Sequence, residues 1–253
     1  MIEPKSRCWG SISNNPTDST QGLIDLCKDF ITKDMVGVEI GSFAGISSEV
    51  FSYFCKSLTC IDPWDMAFEK ENYREIIAHK LASAEKEFDS LVSRSSNIKK
   101  IKGFSNIECK KFDNESLDFV YIDGNHSNDS VKEDIACWMP KVKKGGVLLG
   151  HDYGLICRVF VDLKVKVNKI YSDSSWVIKV DEKIAKTVEN SFAEIVKTKN
   201  NLKLNENKKV EQEVVNLNQK IIECSNMIDI LYEKILELNN KLNKNIKLRK
   251  KKK

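Results

Sequence analysis

The chain has 253 residues, enough for one domain of ordinary size with an extension, or for two small domains. Its 41 basic and 37 acidic residues leave a net charge of +4, too mild an excess to argue for nucleic acid. No stretch reaches the roughly 20 apolar residues of a membrane span, and the opening "MIEPKSRCWG" has neither the apolar core nor the cleavage pattern of a secretory signal. The eight cysteines (Cys8, Cys27, Cys55, Cys60, Cys109, Cys137, Cys157 and Cys224) form no CxxC pair. That argues against a zinc site and reads as reduced thiols in a cytoplasmic protein.

In chain order, the first element is a helix. Thr17, Asp18, Ser19 and Thr20 offer N-caps, and Leu23, Ile24, Leu26, Cys27 and Phe30 follow at helical spacing. Five short apolar runs come next: Met35 to Ile40, Ser57 to Ile61, Asn97 to Ile101, Leu117 to Ile122 and Gly145 to Gly150. Amphipathic segments separate them. Buried strands alternating with helices predict an α/β domain, Rossmann-like and doubly wound, with a mostly parallel sheet. "KIYSDSSWVIKV" predicts two more strands closing the sheet as a hairpin. The stretch from Ala67 to Leu91, inserted between the second and third runs, reads as a helix able to form part of a lid, with His79 on its surface.

From Glu182 onward proline and glycine are absent. Apolar residues fall at Val210, Val214, Leu217, Ile221, Cys224, Ile228, Leu231, Ile235, Leu238 and Leu242, in alternating steps of four and three. This heptad pattern predicts a helical coiled coil that makes the protein a homodimer. Val214, Ile221, Ile228 and Ile235 at a, with leucines at d, favour a parallel two-stranded coil. The expected division is a globular domain over residues 1–181 and a helical tail over 182–253. The terminal "LRKKKK" reads mainly as a solvated end, with nucleic acid or an anionic surface as its alternative partners.

Ligands of open parallel sheets bind beyond the carboxyl ends of the strands. Four of the five runs deliver an acid there: Glu39, Asp62, Asp123 and Asp152. One such acid is a turn former; four on one rim repel each other unless something binds. In "VEIGSFAGISS", Gly41 and Gly45 flank a strand-to-helix turn that lets a ligand approach the backbone. Phe43 occupies the second glycine of the dinucleotide pattern GxGxxG, which argues against NAD. Asp62 ends the second run, about 20 residues after the glycine turn, where an acid holds ribose hydroxyls. Trp64 is read either as a cover for an adenine ring or as core. His126, on the loop leading into "SVKEDIACW", is read either as a general base or, with Ser127, as that helix's cap.

The segments "VGVEIGSFAGISS", "CIDPW" and "LDFVYIDGNHSNDSVKEDIACWMPKVKKGGVLLGHDY" together resemble the class I S-adenosylmethionine-dependent methyltransferases, in particular the small-molecule and sugar O-methyltransferase-like subfamily with a GHDY motif. The resemblance covers about residues 36 to 153. It implies S-adenosyl-L-methionine as cofactor. Glu39, Gly41, Ser42 and Gly45 would form the loop facing its methionine part, Asp62 would hold the ribose, and Phe104 and Ser105 would lie near the adenine. Asp123 would sit below the sulfonium. Phe43 departs from a third glycine found in many members. The expected reaction is methyl transfer to a hydroxyl of a small molecule or glycan, which needs help in removing the acceptor proton. His126, His151 and Asp152 are the catalytic candidates. Asp123 and Asp152 are candidate ligands of Mg²⁺ or Mn²⁺, although His151 stands where some relatives have a second acid. The contrasting reading is an interaction protein, in which the coiled coil carries the function and catalysis is slight.

Overall fold

The computed structural model describes residues 18–65 and 74–250. Strands β1 (Val36–Ile40), β2 (Ser57–Asp62), β3 (Ile98–Lys102), β4 (Leu117–Ile122) and β5 (Val142–Gly150) form the parallel part of a seven-stranded sheet. β6 (Lys169–Ile170) and β7 (Trp176–Lys179) add the expected hairpin, with β7 antiparallel to β5. The strand order is β3-β2-β1-β4-β5-β7-β6. The chain therefore winds outward in one direction from β1 and then restarts at β4 in the other. The neighbours β1 and β4 mark the switch point.

The central strands β1 and β4 are mostly apolar because both of their faces are covered, whereas the more lateral β3 carries three lysines. In β4 the pleat sends Phe119 and Tyr121 to one face and Val120 and Ile122 to the other, and all four are buried. The Phe119 face packs on helices α1 (Asp18–Phe30), α2 (Ile46–Ser52) and α3 (Arg74–Arg94). Phe51 of α2 lies 5.4 Å from the Phe119 ring and 4.9 Å from that of Tyr121. The single helical turn α4 (Ser105–Glu108) follows β3, and α5 (Asn128–Trp138) and α6 (Tyr153–Asp162) follow β4 and β5. Phe160 of α6 packs edge-on against Trp176 at 5.0 Å.

Two expectations change. β5 begins three residues before the predicted run, at Val142, because Lys143 to Gly146 form an irregularity that shifts its register against β4. Gly145, with φ 85°, makes the kink. The inserted helix is also more than a lid. Ala84, Phe88 and Leu91 of α3 are fully buried in the core. The side chain of His79 lies outside the described residues, as do residues 66–73.

Asp181 opens the last helix, α7 (Glu182–Lys250), by accepting from Ile184 N at 2.7 Å. The chain divides into two compact units, Met1–Glu194 and Ile195–Lys253. The division falls three turns inside α7 because Val188 and Ser191 are buried with the globular unit. Among the described residues no helix is long and apolar enough to cross a membrane. Their seven cysteines are all free.

Candidate functional site

A cavity of about 360 Å³ opens at the carboxyl ends of β1 and β4. Gly41, Asp62, Phe104, Asp123, His126 and Asp134 are among its lining residues. Its position follows from topology. At the switch point the connections of β1 and β4 leave in opposite directions and part the loops above them.

The floor is the turn after β1. Gly41 has φ 84°, and a Cβ there would lie 2.2 Å from the Asp123 carbonyl oxygen. Only glycine lets these two strand ends come so close. Gly45, with φ 90°, lies under Phe88 and Leu91. Phe43 takes a left-handed φ of 44° without being glycine. Its amide donates to Asp62 Oδ2 at 2.9 Å, and its carbonyl accepts from Trp64 Nε1 at 2.8 Å. These bonds hold the strained residue in place.

Glu39 and Ser42 stand behind the cavity wall and not in it. Glu39 is fully buried and accepts from Ser48 Oγ, while its Oε1 and the Ser42 hydroxyl have no hydrogen-bond partner. Burial raises the Glu39 carboxyl, and nearby serine hydroxyls, Ser48 among them, oppose the rise. Asp62 does reach the cavity. Each of its oxygens accepts one backbone N–H, Oδ2 from Phe43 and Oδ1 from Trp64, and each retains a lone pair for a ligand hydroxyl. Burial raises this carboxyl as well, against the pull of those N–H groups.

Trp64 does not line the cavity. Its ring lies 5.0 Å from Phe88 with the Lys100 ammonium over it at 4.6 Å, and the residue is 6% exposed. The packing supports its core reading and removes it as a cover for an adenine ring.

Phe104 and Ser105 line the far wall with Ser130, Glu133 and Asp134 of α5, which the sequence analysis does not single out. Ser105 Oγ donates to Asp134 Oδ1 at 2.5 Å and accepts from Trp138 Nε1 at 2.7 Å. Asn106 Nδ2 donates to Glu133 Oε1 at 3.1 Å. Asp134 is 7% exposed, and burial lifts its carboxyl to about 6, with Ser105 opposing and Glu133 adding to the rise. The missed signal was spacing. Ser130, Glu133 and Asp134 stand at i, i+3 and i+4 and so share the helix face turned to the cavity.

At the cavity mouth the ends of β4 and β5 bring four groups together. Asp152 Oδ2 lies 2.8 Å from His126 Nδ1, and its Oδ1 lies 3.1 Å from His151 Nδ1. His151 Nδ1 is 3.8 Å from Asp123 Oδ1. Asp152 stands at the N-cap position of α6 in a left-handed conformation, φ 58°, yet its side chain caps nothing. Its carboxylate is turned to the two imidazoles instead. Ser127, not His126, caps α5, accepting from Ser130 N at 3.3 Å. His126 is left outside the helix, half exposed, lining the cavity with its Nδ1 against Asp152. Burial first, and then the charges of Asp152 and Glu39, push the Asp123 carboxyl well above its usual range. Ligand atoms of Asp123, His126 and Asp152 lie within 4.8 Å of one another, close enough to share one ion.

Residues 38–153 match a family model described as a methyltransferase domain. The match runs from β1 to the first residue of α6, the part of the chain whose strand ends frame the cavity. An uncharacterized protein of Acanthamoeba polyphaga mimivirus is 29% identical over 157 residues, which cover 60% of this chain and 66% of that relative. The chain thus matches just under two thirds of the relative's length. Among solved structures, an rRNA methylase from Streptococcus thermophilus aligns with a TM-score of 0.45 at 11% identity, over 63% of this chain and 95% of its own. Phosphoethanolamine N-methyltransferase 1 of Haemonchus contortus, in complex with phosphoethanolamine and S-adenosylhomocysteine, aligns with a TM-score of 0.41 at 15% identity, over 54% of this chain and 25% of its own. Similarity at this level assigns neither activity nor substrate.

Proposed function

We propose that the protein transfers a methyl group from S-adenosylmethionine to a hydroxyl of a small molecule or glycan, in the cytoplasm, with residues 1–181 as the catalytic domain. The observation that carries this reading is the pairing of His126 with Asp152 at the mouth of a switch-point cavity whose floor is the Gly41 turn. The cavity suits the cofactor: a cradle that a Cβ at Gly41 would fill, and the spare lone pairs of Asp62 for ribose hydroxyls. Phe104 and Ser105 bound the side assigned to the adenine. Glu39 and Ser42 hold the loop from behind. The cofactor supplies an electrophilic methyl group. The residues of this chain must then bring the acceptor oxygen into line, exclude water and take its proton. Asp152 lies against His126 Nδ1 and favours the tautomer whose Nε2 carries the lone pair that takes the proton, while His151 contacts the same carboxylate.

A second reading is favoured by the convergence of Asp123, His126 and Asp152. Two carboxylates and an imidazole suit Mn²⁺ or Mg²⁺, and a bound ion would lower the pKa of the acceptor hydroxyl. The two readings compete for the same imidazole.

Calorimetry with S-adenosylhomocysteine tests the first step. Binding at micromolar concentration that weakens in Asp62→Asn is expected; no heat at high micromolar ligand would leave only the interaction-protein reading. Repeating the titration with Mn²⁺ separates base from metal. Ion binding that is lost in both Asp123→Asn and His126→Gln favours the metal.

A further inference from the structure

The second unit carries an unmet demand of its own. Along α7 the heptad seam from Val210 to Leu238 is apolar, and its described aliphatic members are 50 to 65% exposed. The side chain of Leu242, the last of the predicted seam, lies outside the described residues. A continuous stripe over four heptads needs a partner helix. The a and d residues restrict the number of strands. Orientation is set by the flanking e and g positions.

Those flanks are asymmetric along the helix. The g positions run Glu206, Glu213, Lys220, Met227, Lys234 and Lys241, acidic at the start and basic at the end. The e positions, Glu211, Asn218, Ser225 and Tyr232, carry one charge. In a parallel pair each g faces the partner's next e. Glu206 then meets Glu211, and the other charged g residues meet neutral side chains. In an antiparallel pair g faces g. One register then sets Glu206 against Lys241, Glu213 against Lys234 and Lys220 against Met227. The same register puts Val210 opposite Ile235, Val214 opposite Leu231, Leu217 opposite Ile228 and Ile221 opposite Cys224, so the core layers between Val210 and Ile235 are apolar, while Leu238 meets Asn207. It is self-complementary about a two-fold axis near Ile222, as an isologous contact between identical chains requires.

We infer that α7 pairs antiparallel with α7 of a second copy of this chain, in the register that joins Glu213 to Lys234. The orientation expected from the a and d residues is thereby reversed. The inference does not rest on the methyltransferase reading.

The test uses the full chain, as an equal mixture of ordinary and ¹⁵N-labelled protein. A carbodiimide, which joins carboxylates to amines in direct contact, is followed by mass spectrometry. A Glu213–Lys234 link between light and heavy chains is expected. Within one helix these residues are about 31 Å apart, so the link cannot form inside a chain. Glu213→Lys alone and Lys234→Glu alone each weaken self-association roughly tenfold, since each creates two repulsive contacts per dimer. The two together restore it to within about twofold. Links confined to near-equal positions of two copies, single changes that do not rescue each other, or a chain that stays monomeric at tens of micromolar would each overturn the inference.

Discussion

The sheet rim and the long helix break the same rule from opposite sides. At the rim, polar groups are taken out of water without full compensation. Glu39 is enclosed with an unpartnered oxygen, Asp123 is held among acids, and Asp134 is lifted to about 6. Along the helix, apolar groups are left in water. Both departures cost stability in the isolated chain. They call for different occupants. Buried, converging polar groups around a small cavity suit one polar ligand, whereas an exposed stripe of fixed period suits another helix. The contrast also separates two kinds of substitution: changes at the rim act on chemistry or on the fold, and changes along the helix act on association.

The largest expected effect lies at the cavity mouth. Asp152→Asn keeps a residue that tolerates the left-handed backbone but removes the carboxylate between the two imidazoles. Methyl transfer, followed as S-adenosylhomocysteine release with hydroxylated acceptors, should fall about 10³-fold. S-adenosylhomocysteine affinity should change less than about threefold. Equal loss of both would place Asp152 in cofactor binding.

Next is the floor. Gly41→Ala would drive a Cβ into the Asp123 carbonyl at a backbone angle that alanine rarely adopts. A backbone clash cannot be relieved by a rotamer change. A loss of about 3–4 kcal/mol in urea unfolding is expected, with cofactor binding lost as well. An equally unconventional change on the helix, Ile221→Asn, should leave the melting of the globular unit unchanged and abolish self-association. If Gly41→Ala were tolerated, the close approach of β1 and β4 that frames the cavity would be wrong.

The architecture was legible because buried parallel strands announce themselves as short apolar runs, and their acids mark the ends. Glu39, Asp62, Asp123 and Asp152 could be assigned to one rim from sequence. How far each side chain reaches could not, since the pleat decides it. Glu39 is one residue before the strand end and faces inward, while Asp62 and Asp123 emerge. Trp64 was ambiguous because a tryptophan beside a site is apolar in either role; Phe88, from an element distant in sequence, resolves it. Asp134 was missed because three acids near a helix start look alike in sequence, and only Ser105 and Trp138 make one of them buried. The start of β5 was placed three residues late because Lys143 and Lys144 do not extend the apolar run.

Asp134 also gives a pH test of the rim. Its carboxyl titrates near 6 when folded and near 3.9 when unfolded. Between these values the folded state binds the extra proton, so stability falls as pH rises from about 4 to 6. Asp134→Asn should remove that part of the fall and leave the variant more stable than the parent at pH 7, by an amount on the order of 2 kcal/mol. The difference between the two unfolding curves isolates this group from Glu39, Asp62 and Asp123, whose raised carboxyls act in the same direction. A difference that is flat with pH would mean that Asp134 titrates alike in the folded and unfolded chain, the Ser105 bond offsetting its burial.

The smallest effect separates the two roles offered by the loop before α5. Ser127 accepts from Ser130 N, so Ser127→Ala should cost about 1 kcal/mol of stability and leave turnover within about twofold of the parent. His126 is half exposed and caps nothing. His126→Gln should therefore change stability by less than about 0.5 kcal/mol. Its effect on turnover should be larger than that of Ser127→Ala by about 10² or more, because Nε2 has no substitute. The pair is measured by urea unfolding and initial rates on the same preparations. A His126→Gln variant that unfolds early but turns over normally would return His126 to the cap and leave the proton to a bound metal or to His151.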